Sequence, residues 1–131
     1  SLVLDEISDT SQREVCKKAI GKKMLRTIDI STIEYLQLQA MDLPGLKVAD
    51  RSVLKIAETG QATLLTGDGR LRKTAKNLNV EVRGILWVFD QLVEDGILQT
   101  TEAHTKLTYL FKHNQRLPKL EVEKRLRAWC R

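Results

Sequence analysis

The chain has 131 residues, 42% of them hydrophobic and 30% charged, a balance that supports one globular domain with a real core and excludes a disordered polar tail or a disulfide-stapled miniprotein. No apolar run approaches the length needed to cross a bilayer, which excludes a membrane-spanning helix. The net charge of +5 and sequence pI near 9.4 suit a polyanionic partner.

In chain order, Arg13 to Lys23 reads as a basic helix and Met24–Ile30 alternates as a strand. Ser31-Thr32-Ile33-Glu34 then opens a helix with a capping box. Leu36, Leu38 and Met41 lead into Leu43-Pro44-Gly45-Leu46, a connector. Val53, Leu54 and Ala57 lie three, four and seven positions after Asp50, the spacing of one helical face, and Glu58-Thr59-Gly60 ends that helix. Ala62–Thr66 reads as a short buried strand, Gly67-Asp68-Gly69 as the loop at its C-terminal end, and Arg70–Ala75 as another helix. Residues 77–86 read as helix end, short strand and turn. Two further helices start at Thr100-Thr101-Glu102 and at Pro118, the first carrying Leu107, Leu110 and Phe111, the second Val122, Leu126 and Trp129. Such alternation predicts a largely parallel α/β sheet.

The segment from Asp50 to Asp68 carries the chemistry. A helix and a strand deliver two aspartates to the same region, the C-terminal edge of a sheet, where α/β proteins bind ligands. Carboxylates gathered there repel one another and are costly to desolvate, and Mg²⁺ or Mn²⁺ offsets that cost because hard cations prefer oxygen ligands. Each aspartate also has a plainer reading as a helix cap, since Asp is among the preferred N-cap residues. Arg70, Arg72 and Lys73 follow Asp68 closely and are candidates to bind RNA phosphates, with an ordinary solvated helix face as the alternative. Ser52 and Thr74 lack a neighbouring base that would make them nucleophiles, and His104 and His113 lie far along the chain from the acids. Arg116, Lys119, Lys124, Arg125 and Arg127 read as a solvated face or a surface for an acidic partner. Cys16 and Cys130 match no metal spacing and are expected to be free thiols in a cytoplasmic protein.

The stretch Ala49-Asp50 through Leu64-Leu65-Thr66-Gly67-Asp68-Gly69-Arg70-Leu71 resembles the second half of a PIN domain, the ribonuclease fold of VapC-type toxins. The resemblance implies a three-layer fold with a central, mostly parallel sheet flanked by helices, over residues 1–131, with 100–131 a C-terminal helical extension. It further implies a Mg²⁺- or Mn²⁺-dependent endoribonuclease in which four acids hold the metal. Asp50 matches the third of these and Asp68 the fourth. Glu6, in Leu2-Val3-Leu4-Asp5-Glu6-Ile7, matches the helical glutamate, and Thr66 falls where a hydroxyl or amide stands beside the metal. The first acid belongs to a strand well before Glu6, so the chain is expected to lack the family's first strand; a second option makes Leu2–Asp5 that strand and Asp5 that acid. The resemblance also implies an RNA substrate; an acidic antitoxin would suit the basic C-terminal residues, and the two C-terminal helices can either pack on the domain or form a homodimer interface. Thr66-Gly67-Asp68-Gly69 is also similar to the magnesium loop of haloacid-dehalogenase-type phosphatases, but the nucleophilic Asp-Lys-Thr-Gly-Thr-like motif those enzymes need is not in the chain. The remaining alternative is a non-catalytic PIN-like module that binds RNA or protein.

Overall fold

The computed structural model describes residues 1–130 and divides into two compact units, Ser1–Val82 and Arg83–Arg131. The first unit holds α1 (Leu2–Asp5), α2 (Thr10–Gly21), α3 (Thr32–Ala40), α4 (Val48–Gly60), β1 (Leu64–Leu65) and α5 (Gly69–Asn77), and it ends in β2 (Val82–Arg83). The two short strands pair in parallel, with the Leu64 N–H donating to the Glu81 carbonyl at 2.8 Å. The β1–α5–β2 crossover is the connection that parallel strands require. The chain thus has the mixed helix and sheet of a PIN-like α/β fold, built on a sheet of two strands.

The core of this unit follows from the helical spacing around Asp50. Leu54 and Ala57 of α4 pack with Leu46, Leu64, Leu71, Ala75 and Val80, while Leu43, Val53 and Val82 cover the margins. α4 terminates on Gln61, which takes the left-handed conformation at φ 49°, one residue beyond the expected stop at Gly60. The capping box on α3 forms as its sequence predicts: the Ser31 N–H donates to Glu34 Oε2 at 2.8 Å, and the Glu34 N–H donates to Ser31 Oγ at 3.2 Å.

Three sequence expectations need correction. Met24–Ile30 alternates but forms no strand; after Lys23 at φ 57° it runs as irregular chain, with Met24, Leu25 and Ile28 exposed. Alternation predicts which side chains share a face, whereas a strand exists only where a second backbone accepts its ladder of hydrogen bonds. Leu2–Asp5 is one short turn of helix, which rules it out as a first strand ending in Asp5. Glu6 is the C-cap of that turn, so it follows a helix where the resemblance places it within one.

The second unit contains α6 (Ile85–Glu94), α7 (Thr100–His113) and α8 (Lys119–Trp129). Ala103, Leu107 and Val122 are fully buried between α7 and α8, and Phe89 and Trp129 close the cluster with ring centroids 6.2 Å apart. Arg125 is tied inside this unit: Nε and Nη2 meet the two Asp90 carboxylate oxygens at 2.8 and 2.6 Å, and Nη1 reaches Glu121 Oε2 at 3.1 Å. The Asp90 carboxylate, helped by Glu121, holds the Arg125 guanidinium above its ordinary value against the opposing effect of burial. Lys119 and Arg127 pair with Glu123. Of the basic residues predicted there, Arg125 is therefore a structural residue, while Lys119 and Arg127 share the Glu123 carboxylate.

Candidate functional site

Asp68 is the N-cap of α5. Its Oδ1 accepts the Leu71 N–H at 2.8 Å, the bond that makes Asp a favoured cap, and its Oδ2 makes no bond within the described residues. Thr66 shapes the approach to it: Thr66 Oγ1 accepts the Asp68 N–H at 3.1 Å, a side-chain turn that fixes the loop leaving β1. Arg72 reaches back across the same loop, donating from Nη1 to the Thr66 carbonyl at 3.0 Å. That bond occupies one of the five N–H groups of a guanidinium predicted to meet phosphate.

Asp50 has the matching role at the preceding long helix. It is the third residue of α4, and its Oδ2 accepts the Lys47 N–H at 3.2 Å, half of a capping box. Its Oδ1 has no partner within the described residues. The cap reading and the functional reading are therefore compatible, because each aspartate spends one carboxylate oxygen on its helix and keeps the other. Ser52, on the same helix, is buried and donates to the Ala49 carbonyl at 2.6 Å, which occupies its hydroxyl proton.

Glu6 approaches this helix start through the residue whose N–H caps Asp50. Lys47 Nζ lies 3.9 Å from Glu6 Oε1, an exposed pair. Lys47 thus contacts both acids from its two ends, Glu6 through Nζ and Asp50 through its backbone N–H. A divalent cation needs several oxygens converging on one point. Among the described residues no group of three or more His, Cys, Asp or Glu side chains does so, so Glu6, Asp50 and Asp68 do not form one cluster. As placed, the three acids do not fit a metal cage.

Two residues that sequence reasoning passed over organise the region. Lys47 is one; the other is Arg51, whose Nη1 donates to the carbonyls of Leu38, Gln39 and Met41 at 2.9–3.0 Å. Its Nη2 reaches Leu43 at 3.1 Å and its Nε reaches Leu46 at 3.0 Å. Arg51 therefore satisfies the open carbonyl end of α3 and fixes the connector that delivers Asp50. Arg beside Asp at a helix start is the sole local signal, and it names none of the five acceptors.

No curated protein and no solved structure matches the chain. The PIN domain family matches residues 1–130, which takes in both units and every acid discussed above. With nearly the whole sequence accounted for by that match, the chain belongs to the PIN-domain family.

Proposed function

We propose that this protein is an endoribonuclease that hydrolyses RNA phosphodiester bonds with Asp50, Asp68 and Glu6 as its acidic residues, in the Mg²⁺- or Mn²⁺-dependent manner of its family. The observation that carries the reading is the shared design of Asp50 and Asp68. Both stand at helix starts, each capping through one oxygen and keeping the other unbonded, in a chain that belongs to a nuclease-type fold. Capping fixes each carboxylate's direction before anything binds, which is the pre-organisation a site for a charged ligand requires. Since the acids as placed form no cage, the work assigned to this chain's residues is confined to orienting carboxylates and attracting phosphate. The +5 charge supports RNA as the partner and, in the narrower form of the proposal, an acidic antitoxin.

A specific arrangement favours a second reading, a PIN-like module that binds RNA or protein without cutting: Lys47 already neutralises Glu6, and both aspartates have cap duties. Calorimetric Mn²⁺ titration and cleavage of a labelled RNA separate the two. Folded Asp50→Asn and Asp68→Asn proteins that lose Mn²⁺ affinity and cleavage together establish the nuclease. A wild-type protein with neither property, or variants indistinguishable from it, establishes the binding module.

A further inference from the structure

The arginines of the first unit differ in how they are used. Arg51 donates to five carbonyls and Arg72 gives one N–H to Thr66, but the Arg70 guanidinium makes no hydrogen bond or ion pair within the described residues. Its side chain lies against a turn. Gly45, at φ +80° in the turn before α4, leaves open the space Arg70 fills: a Cβ on residue 45 would stand 2.6 Å from Arg70 Nη1 and 3.3 Å from its Cδ and Cζ. The positive φ is what favours glycine there, since the close approach is to the far end of a flexible side chain that can shift. The contact joins the turn five residues before Asp50 to the second residue after Asp68, so it bridges the approaches to both acid-bearing helices.

An exposed arginine that lies against the turn before Asp50 and keeps all its donors can meet a phosphate, which a guanidinium fork matches with two parallel hydrogen bonds as well as charge. We propose that Arg70 is the residue that grips the RNA phosphate beside the acids, and that Gly45 is a positioning residue acting through it. This rests on the nuclease reading and singles out Arg70 among the three basic residues Arg70, Arg72 and Lys73 as its phosphate contact.

The test is binding of a fluorescein-labelled oligouridylate to the full chain in EDTA, as a function of salt, alongside Mn²⁺-dependent cleavage by wild type and Asp68→Asn. Arg70→Ala is expected to weaken binding about tenfold and to lower the slope of log affinity against log salt by roughly 0.7, one phosphate contact on a single strand. Arg70→Lys keeps the slope and loses affinity severalfold, since a point charge cannot reproduce the fork. Gly45→Ala weakens binding in the wild-type background and has no further effect in Arg70→Ala, a coupling that general damage to the fold would not produce. Arg13→Ala, the same charge removed from α2, keeps the wild-type slope.

Arg70→Ala with unchanged affinity and slope, beside cleavage that Asp68→Asn abolishes, would overturn the clamp and leave the nuclease standing. A wild-type chain that neither binds nor cuts the RNA overturns both. An Arg70-dependent affinity for polyglutamate equal to that for the oligouridylate overturns the assignment to RNA and marks a site for an acidic protein.

Discussion

The Leu71 N–H points at Asp68 Oδ1 from 2.8 Å, and this one bond lets stability and chemistry be separated at the same residue. Asn caps a helix about as well as Asp, so Asp68→Asn should unfold in urea within about 0.5 kcal/mol of wild type. Asp68→Ala loses the cap and should cost about 1 kcal/mol. Under the nuclease proposal both variants lose Mn²⁺ affinity and cleavage alike, despite their different stabilities. Loss that tracked stability would instead assign Asp68 to the cap alone.

Arg51 is the residue whose loss should most disturb the region without touching the proposed chemistry. Truncating it strips five carbonyls of a half-buried charged donor, so Arg51→Ala should destabilise by about 2–4 kcal/mol. Arg51→Lys should recover only a minor share of that loss, because an ammonium has three donors and no fork. Urea titrations followed by circular dichroism measure both. A cost below about 0.5 kcal/mol, the level of an ordinary surface substitution, would mean that the connector from Leu38 to Leu46 holds itself.

What can be read from the sequence divides along the range of the forces involved. The Ser31–Glu34 capping box, the apolar face of α4 and the Asp68 cap depend on residues three or four apart, and all three appear where the spacing puts them. Met24–Ile30 departs from its pattern because alternation is a property of the segment while pairing is a property of its neighbours. Arg51 is invisible in the sequence for a related reason: its acceptors lie 5 to 13 residues upstream and converge only once α3 and α4 have packed. At the site, each acid's address is legible from motif spacing. Whether the three converge depends on how α1, α4 and α5 stack, and that stacking does not bring the three into one cluster.

In the second unit, Leu107 is fully buried in the cluster with Phe89, Val122 and Trp129. Leu107→Ala should cost about 2–5 kcal/mol through lost burial and the cavity left behind. Both tryptophans, Trp87 and Trp129, belong to this unit, so intrinsic fluorescence reports its unfolding directly. A fluorescence midpoint in urea unmoved by the substitution would contradict this packing.

Acid should weaken the first unit through its caps. The Ser31 N–H, and after it the Ser31 hydroxyl, hold the Glu34 carboxyl below its ordinary value. At Asp9 the Ser11 hydroxyl, 2.6 Å away, acts first and the Gln12 N–H second. Because both are depressed in the folded state, the unfolded chain takes up protons first as pH falls past the ordinary carboxyl values of roughly 4. The stabilisation is thus fully present above that point and disappears as pH drops through the lower folded values. Thermal melts by circular dichroism from about pH 7 down to about pH 3 should show the midpoint falling over the acid end of the range. Glu34→Gln and Asp9→Asn, which keep hydrogen-bonding caps but cannot titrate, should each flatten that fall, and the double variant should flatten it further, since the two sites sit on different helices and are independent. A double variant with the wild-type slope would show that these two carboxylates are not involved in the acid response.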